Sequence, residues 1–340
     1  MRILVIGGTR FIGAAVVQAL HAAGHTVAVF HRGQTERGVP AGIAHITGDA
    51  RKLTESREAL VAFAPEIVLH NIVLSEQDVI DTQAVFSGVA RRLIMTSSID
   101  VYRMFGQLNG IESGERQPIP ADEDAPLRTV RFPYRAQFPD PEHPMHHYDK
   151  IPAEERALSS AELPATILRL PMVIGEGDYQ KRLLPFVVPM VDRRKVLLLS
   201  ETYAAWQSTY GYVGNVAAAM ALAATDDRAI GRVYNVGDGA YASLEVARMV
   251  ADALSWQGEI ITAPEDKLPE SLRFGVADPH PIVCSTARIE RELGFKPPIA
   301  FVDGLRSTAL WDASHLPDPL PDGLRDYQAQ EAALAALRGR

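Results

Sequence analysis

The clearest chemical signature in the chain is a glycine-rich segment near its start. Gly7, Gly8 and Gly13 follow a short apolar run and precede a stretch of helical length. Glycine lets backbone N–H groups approach a pyrophosphate closely, and the N-terminus of a following helix adds unpaired donors and a partial positive charge. These residues therefore predict a dinucleotide-binding loop at residues 7–13.

A second group of residues with ligand chemistry is the cluster His143, His146 and His147, which lies close to Glu142 and Asp149. Imidazole and carboxylate groups are common zinc ligands. The spacing of the three histidines, however, fits no metal-binding motif. We therefore expect ordinary loop histidines here and no metal site.

The glycine segment needs a strand before it and a helix after it, and the chain supplies several such pairs. Short apolar runs alternate with stretches of helical length through the first half, which is typical of a parallel sheet covered on both faces. Strands are predicted at residues 3–6, 26–30, 67–69, 93–96 and 165–170, and helices at residues 12–23, 77–90 and 148–159. The sequence therefore predicts an α/β fold with a Rossmann-type, doubly wound parallel sheet.

The alternation of predicted strands and helices is interrupted by one long segment, and a different arrangement is expected after the strand predicted at residues 165–170. Residues 103–145 hold many prolines and no sustained periodicity, which indicates an irregular insertion with a functional role. We expect a dinucleotide-binding domain at residues 1–170 and a smaller C-terminal α/β substrate lobe at residues 171–325, with segments that return to the first domain. A helical tail is expected at residues 326–340.

Composition and charge exclude several classes of protein. The 340 residues are 47% hydrophobic and 22% charged, which excludes a disordered or collagen-like chain. The net charge of −8 opposes nucleic-acid binding. Cys284 is the single cysteine, the chain opens on a strand pattern rather than a signal peptide, and no apolar run is long enough to span a membrane. We therefore expect a cytoplasmic protein with no membrane partner.

Several motifs resemble the extended short-chain dehydrogenase/reductase family, also called the NAD-dependent epimerase/dehydratase family. Arg10 stands where the family's middle glycine lies, as in a subgroup that includes chloroplast stem-loop binding proteins. The similar segments are residues 7–13 (GGTRFIG), 48–49 (GD), 69–71 (LHN), 96–102 (TSSIDVY), 168–175 (LRLPMVIG), 232–237 (RVYNVG) and 288–295 (RIERELGF). The resemblance covers most of the chain and implies a nicotinamide cofactor and hydride transfer.

The resemblance also implies which residues surround the cofactor. Asp49 resembles the family's adenine-contacting aspartate, Asn71 lies where the family approaches the nicotinamide ribose, and Pro171 lies where a proline borders the nicotinamide. With the residues after the second strand, the expected cofactor-binding set is Gly7, Gly8, Thr9, Arg10, Phe11, Ile12, Gly13, His31, Arg32, Asp49, Leu69, Asn71, Thr96, Lys150, Pro171 and Val173.

The residues after the second strand bear on the choice between NAD and NADP. An acidic side chain normally accepts a hydrogen bond from the ribose 2′-hydroxyl of NAD at this point. This chain has His31, Arg32 and Gly33 there. Arg32 suits the 2′-phosphate of NADP, and a position on the solvated rim is the alternative. NADP is therefore slightly favoured over NAD.

Members of the family act through a Ser or Thr, a Tyr, and a Lys four residues after that Tyr on one helix. Four residues at about 100° each bring two side chains within about 40° of the same helix face, so the ammonium lowers the pKa of the phenol. Ser98 and Lys150 match the serine and the lysine. The position four residues before Lys150 holds His146 instead of a tyrosine.

Three interpretations of this departure stay open. In the first interpretation, His146 serves as the acid–base group, because the imidazole side chain has an ordinary pKa near neutral pH. Alternatively, Tyr148 reaches the site because the helix starts only at Asp149; on a continuous helix it would point about 200° away from Lys150. In the third interpretation, the protein binds a dinucleotide but has lost the hydride chemistry. The expected catalytic residues are Ser98, Lys150 and either His146 or Tyr148.

The substrate is less clearly indicated. Family members that act on nucleotide sugars carry a diphosphate-neutralising arginine where this chain has Ser208, which disfavours a nucleotide-diphosphate sugar. The candidate replacement cations are Lys181, Arg182 and Arg273; the candidate stacking or core aromatics are Trp206 and Tyr210; and the insertion residues expected to cover the pocket are Phe132, Tyr134 and Phe138.

Two functions of different classes follow from these residues. The first is an NAD(P)-dependent oxidoreductase, epimerase or dehydratase that acts by hydride transfer on a small polar or sugar-like substrate. The second is a catalytically impaired dinucleotide-binding scaffold or regulator. The resemblance also suggests a homodimer, with residues 79–89 and 151–158 at the interface.

Overall fold

The computed structural model describes residues 1–34 and 38–339. The strands are β1 (Arg2–Ile6), β2 (Thr26–His31), β3 (Ala44–Thr47), β4 (Ile67–His70), β5 (Arg92–Ser98), β6 (Ala165–Leu170), β7 (Met172–Ile174), β8 (Val196–Ser200), β9 (Gln207–Tyr212), β10 (Val233–Asn235), β11 (Gly239–Ala242) and β12 (Glu259–Ala263). The α-helices are α1 (Phe11–Ala22), α2 (Arg57–Ala62), α3 (Glu76–Phe86), α4 (Arg103–Leu108), α5 (Lys150–Leu158), α6 (Leu184–Val191), α7 (Glu201–Ala205), α8 (Val213–Thr225), α9 (Ser243–Ala253), α10 (Ala287–Leu293), α11 (Phe301–Ser314) and α12 (Tyr327–Leu337).

The largest sheet of the described residues has seven strands in the order β10-β6-β5-β4-β1-β2-β3. Every neighbouring pair in it is parallel. The order reverses between β1 and β4, where ligands of doubly wound sheets bind beyond the carboxyl ends of the strands. The predicted Rossmann-type fold is confirmed, and its crevice lies at the ends of β1, β4 and β5.

Strand β1 shows why the apolar runs have no polar alternation. Ile3 and Val5 belong to the core on one face of the sheet, whereas Leu4 and Ile6 belong to the core on the other face. All four side chains are fully buried. Because successive side chains of a strand point to opposite faces, a sheet covered by helices on both sides needs apolar residues at every position.

Three predicted features differ from the observed elements. The helix predicted at residues 77–90 ends at Phe86, two residues before Gly88, whose φ is +74°. The helix predicted at residues 148–159 begins two residues later, at Lys150. The insertion, predicted to be irregular, contains the short helix α4. In α4, Met104 N donates to the side chain of Gln117, and Gln117 N donates to the side chain of Gln107. Tertiary contacts therefore support this six-residue helix, which is too short to carry a periodic signal.

The C-terminal part forms a smaller lobe and also returns to the main sheet. Strands β7, β9 and β11 form one small sheet, and β8 pairs with β12. These strands share a core with α6, α9 and α11, in which Phe186, Val250 and Leu305 are buried. Strand β10 pairs with β6 at the edge of the main sheet, and α8 packs on α1. The C-terminal elements outside the main sheet therefore have a hydrophobic core of their own.

The tail helix α12 packs against the lobe rather than extending from it. Leu334 is buried with Leu198 and Leu268, and the Tyr327 hydroxyl donates to Asp192 at 2.6 Å. Within the described ranges, no helix combines the length and the apolar character needed to cross a membrane.

Candidate active site

The glycine loop follows β1 and turns sharply into α1. Gly7 has a φ of +82°, which favours glycine, and its N–H donates to the carbonyl of Phe30 at 3.1 Å. A Cβ on Gly13 would lie 2.0 Å from the carbonyl oxygen of Gly7. The loop and the first turn of α1 are thus in direct backbone contact, which only glycine at position 13 permits.

The N-terminus of α1 fits the pyrophosphate of a dinucleotide. No side chain caps it, and its first turn holds no acidic residue. Its N–H groups and the partial positive charge of the helix are therefore directed at an anion at this point. Arg10 precedes the helix with a φ of −142°, an extended conformation open to any residue, so the loop does not need the family's middle glycine there. Phe11, the first residue of α1, has a φ of +44°, which is uncommon for a residue other than glycine.

The other predicted loop residues support this turn. Thr9 is buried, and Ile12 packs against the core beside α1. The Phe11 ring lies edge-on to Tyr179, with 6.2 Å between ring centroids. The loop therefore contacts the segment after β7 as well as the main sheet.

The adenine side of the crevice lies after β2 and β3. The ring of His31 is hydrogen-bonded to His45 at 2.9 Å and to the N–H of Gly33 at 3.1 Å, whereas Arg32 is exposed. Hydrogen bonds from Arg51 hold the pKa of Asp49 below its ordinary value, and the charge of Arg32 makes a smaller contribution. An exposed cation therefore stands where the family often has an acidic residue.

The nicotinamide side is formed by the ends of β4, β5 and β6. The Thr96 hydroxyl donates to the Asn71 side chain at 3.1 Å, which joins two of the expected cofactor residues. Pro171 lies buried between β6 and β7. Leu69 and Val173, by contrast, are core residues with at most 2% of their surface exposed. Their side chains pack in the hydrophobic core with residues of α1 and α8 rather than line the crevice.

The position of Tyr148 depends on where α5 begins. The Asp149 side chain accepts a hydrogen bond from Ile151 N at 3.1 Å and caps the helix, so Tyr148 lies outside it. Tyr148 is therefore free of the helical geometry that would turn it away from Lys150. The Tyr148 hydroxyl donates to Oδ2 of Asp100 at 2.7 Å, and Asp100 lies two residues after Ser98 in the chain. The centre of the Tyr148 ring lies 5.5 Å from Nζ of Lys150.

Lys150 is buried at the base of the site. Its Nζ donates to the carbonyl oxygens of Val73 and Thr96, so one of its three N–H donors is left for another partner. Burial lowers the pKa of Lys150 to about 8. Ser98 ends β5 and is half-buried, and its hydroxyl accepts from the N–H of Asp100 at 3.2 Å.

Asp100 is a site residue that the sequence analysis missed. Its side chain is 5% exposed and accepts hydrogen bonds from Tyr148 and, at 3.5 Å, from Tyr134. The only sequence feature that points to Asp100 is its position two residues after Ser98. An aspartate at the end of a strand is usually exposed to solvent, so this position does not by itself indicate a site residue. Its burial depends on the insertion.

The insertion is anchored on the residues that begin α5. The fully buried guanidinium of Arg128 forms an ion pair with Asp149 at 3.3 Å, and Phe132 N donates to the other oxygen of that carboxylate at 2.8 Å. Tyr134 packs edge-on against Tyr148, with 5.1 Å between ring centroids. The insertion therefore covers Tyr148 and Asp100 and keeps water from them.

His146 lies in a different environment. Its Nδ1 is 2.8 Å from the carbonyl oxygen of Phe138, and its ring contacts His147. The ring of His143 stacks on Phe138. The cluster thus makes its contacts with the insertion and with the residues directly after it. The described residues include no group of three or more His, Cys, Asp or Glu side chains arranged to hold a metal ion.

The cations considered for a diphosphate are already engaged. Arg182 pairs with Asp178 at 2.9 Å, Lys181 pairs with the buried Asp312 at 3.5 Å, and Arg273 donates to a main-chain carbonyl. Ser208, which stands where the arginine is missing, is buried. The two candidate aromatics make contacts within the lobe: Trp206 packs on Phe274, and Tyr210 packs on Tyr241 and Phe301.

A family model described as the NAD dependent epimerase/dehydratase family matches residues 3–237. The chain belongs to this family. It is therefore an enzyme of the extended short-chain class that depends on NAD or NADP, and the predicted family, enzyme and reaction class are confirmed.

The family's relatives span this chain. It is 25% identical to a dTDP-glucose 4,6-dehydratase of Streptomyces griseus, over 92% of this chain and 94% of that one. It is 26% identical to a 2-alkyl-3-oxoalkanoate reductase of Stenotrophomonas maltophilia, over 98% and 100% of the two chains. A UDP-glucose 4-epimerase of Thermus thermophilus, solved with NAD, is 25% identical with a TM-score of 0.64, over 93% and 99% of the chains.

Replacing Gly13 by alanine is expected to weaken NADH binding by about tenfold or more, because the new Cβ must push the loop carbonyl of Gly7 out of place. Calorimetric titration of both proteins with NADH measures the effect. The control is Gly88→Ala, which lies far from the loop in sequence: a Cβ there meets open space, but the φ of +74° strains the backbone, so this variant reports general destabilisation by a glycine-to-alanine change. Equal affinities of the Gly13 variant and the native protein would contradict the assigned loop.

Proposed function

We propose that this family member acts on a small polar or sugar-like substrate, with Ser98, Tyr148 and Lys150 as its catalytic residues. The observation that carries the proposal is the start of α5 at Lys150, which leaves Tyr148 outside the helix. The Tyr148 hydroxyl thereby meets the segment that begins with Ser98. The phenol of Tyr148 then lies near both the end of β5, which carries Ser98, and the ammonium of Lys150.

Each of these residues has a distinct task in the proposed mechanism. When bound, the nicotinamide cofactor supplies the hydride donor or acceptor. The Ser98 hydroxyl holds the substrate oxygen by a hydrogen bond, and Oη of Tyr148 gives or takes the proton at that oxygen. Nζ of Lys150 uses its remaining donor to orient the cofactor ribose. The insertion excludes water, which strengthens these interactions.

We propose that the substrate lacks a tightly held diphosphate. The buried Ser208 and the engagement of Lys181, Arg182 and Arg273 by other groups support this. Residues 171–325 are proposed to supply most of the substrate lobe. A small carbonyl or hydroxyl compound suits such a pocket better than a nucleotide sugar.

The cofactor is proposed to be NADP in preference to NAD, because Arg32 is exposed on the adenine side. Arg32→Ala is expected to weaken NADPH binding by about tenfold through loss of a charge-assisted hydrogen bond and to leave NADH binding nearly unchanged. Fluorescence titration with both cofactors measures the ratio of affinities. Arg248→Ala, on the exposed face of α9, is the matched control. Equal losses for NADPH and NADH would contradict the preference.

The test of the proposed function begins with the nucleotide that the purified protein carries. The protein is denatured, any released nucleotide is identified by absorbance and mass, and stripped protein is titrated with NADPH and NADH. Retained NAD would favour an epimerase or dehydratase that recycles its cofactor within one turnover. Exchangeable NADPH would favour a reductase. Binding of neither would contradict the proposal.

A homodimer and a cytoplasmic location stay predictions. The apolar residues of the two helices expected at the interface, such as Val79 and Ile151, are buried in the protomer's own core. Exposed positions within the two expected ranges include Ala84, Glu155, Arg156 and Leu158. A dimer formed through α3 and α5 would therefore combine polar and apolar contacts.

A further inference from the structure

The carboxylate of Asp100 lies directly behind the hydroxyl of Tyr148. Oη of Tyr148 donates to Oδ2 of Asp100 at 2.7 Å, and both side chains are more than nine-tenths buried. The second carboxylate oxygen, Oδ1, is buried and has no hydrogen-bond partner in the described part of the chain. The phenolic proton of Tyr148 thus points at a carboxylate that can receive it.

Among the described residues, no cation forms an ion pair with this carboxylate. The Tyr134 hydroxyl lies 3.5 Å from Oδ2. Arg128 donates to the main-chain carbonyl of Asp100 and to the Asp149 side chain. The charge of Arg128 and, to a smaller extent, that of Lys150 lower the pKa of the Asp100 carboxyl, whereas the charge of Asp149 raises it. Burial is the largest effect and raises the pKa of the Asp100 carboxyl above its ordinary value.

This arrangement changes how Tyr148 can act as a base. Burial first, and then the charge of Asp100, raise the pKa of Tyr148 well above its ordinary value, whereas Ser98 lowers it by a smaller amount. The hydrogen bonds of Lys150 go to main-chain carbonyls. Tyr148 therefore rests as a phenol, and a phenol can take a proton only if it gives up its own.

We propose that Asp100 is the proton acceptor behind Tyr148, so that the two side chains form a relay. During oxidation, the substrate O–H bond breaks as an O–H bond forms on Oη of Tyr148. The original phenolic O–H bond breaks as an O–H bond forms on Oδ2 of Asp100. A bound nicotinamide cofactor would accept the hydride from the adjoining carbon and so oxidise it, while the proton is stored on Asp100. Reduction runs the same transfers backwards.

The relay rests on the proposed role of Tyr148, and in it Asp100 positions Tyr148 and also carries a proton. The protonation state of Asp100 then determines whether the reaction rate rises or falls with pH. Oxidation needs the Asp100 carboxylate and accelerates as pH rises through the elevated pKa of that group. Reduction needs the protonated carboxyl and slows over the same range.

The first experiment needs no substrate. Infrared difference spectra of the full chain, recorded from mildly acidic to neutral pH, report the C=O band of a protonated carboxyl. We expect a titrating band that disappears in Asp100→Asn and shifts in Tyr148→Phe, which removes the hydrogen-bond donor. Asp252→Asn, an exposed change on α9, is the control and should leave the band unaltered. Absence of such a band, or a band indifferent to Tyr148→Phe, would overturn the relay.

The second experiment uses turnover of 3-oxoalkanoates of several chain lengths, which carry no diphosphate, as probes. Asp100→Asn is expected to lower kcat by about 10²-fold and to remove the pH dependence. Circular dichroism establishes that the variant is folded. An Asp100→Asn profile parallel to that of the native protein overturns the relay but leaves the role of Tyr148 intact. Full turnover by Tyr148→Phe instead overturns the proposed catalytic residues, whatever the infrared result.

Discussion

Tyr148→Phe is expected to lower kcat by about 10²- to 10⁴-fold, the range typical of removing a positioned acid–base group. The ring of phenylalanine keeps the edge-on packing against Tyr134, so the loss reports the hydroxyl rather than the shape of the site. Binding of NADH is expected to persist, because the glycine loop lies at the end of a different strand. Steady-state kinetics with the probe that turns over fastest, together with NADH titration, measure both effects.

His146→Ala is the comparison that separates the two acid–base candidates. The imidazole contacts the carbonyl of Phe138 and the ring of His147 within the insertion, so its loss is expected to leave kcat at the native level. The reverse result, with an inactive His146 variant and an active Tyr148 variant, would refute the assigned role of Tyr148. Loss of activity in Ser98→Ala and Lys150→Ala is expected in either case.

Glu154→Gln is expected to lower the free energy of unfolding by about 3–5 kcal/mol, because it leaves a buried charge without its partner. Glu154 accepts hydrogen bonds from Nε and Nη2 of Arg169 at 3.1 and 2.7 Å and from the hydroxyl of Ser97. Both charged side chains are at most 4% exposed. The pair joins α5 to β5 and β6, so its loss loosens the base of the site. Urea unfolding measures the change.

Glu155, which follows Glu154 in the chain, supplies a matched control for the effect of burial. Glu155 pairs with Arg131 at 3.0 Å on the surface, where its side chain is 61% exposed. Glu155→Gln is expected to change the free energy of unfolding by less than about 1 kcal/mol, because water screens the exposed pair. If Glu154→Gln and Glu155→Gln lowered the free energy of unfolding by similar amounts, burial of the Glu154–Arg169 pair would not explain the destabilisation.

One part of the catalytic site was available from local sequence. Pro152 follows Lys150 by two residues, and proline lacks the N–H that a helix interior requires. A helix that began at or before His146 would hold this proline in its interior, whereas a helix that begins at Lys150 holds it in the first turn, where N–H groups have no helical partner. Asp149 is also a favourable N-cap. Both signals support the late start that the structure shows.

The rest of the catalytic site depends on contacts distant in sequence. Asp149 receives donors from Arg128 and Phe132, and Tyr134 covers Asp100. These partners lie in the insertion, whose path has no periodic pattern. Sequence reasoning therefore left His146 and Tyr148 as alternatives and did not include Asp100 among the site residues.

The sequence by itself determined the fold and the family of this protein. Apolar strands buried on both faces and a glycine loop between a strand and a helix are local patterns whose physical causes act within a few residues. The tertiary structure alone decided that Tyr148 lies beside Lys150 and that its hydroxyl donates to the Asp100 carboxylate. The insertion buries Asp100 and fixes Asp149 by long-range packing, and burial sets both the geometry of these groups and their affinity for protons.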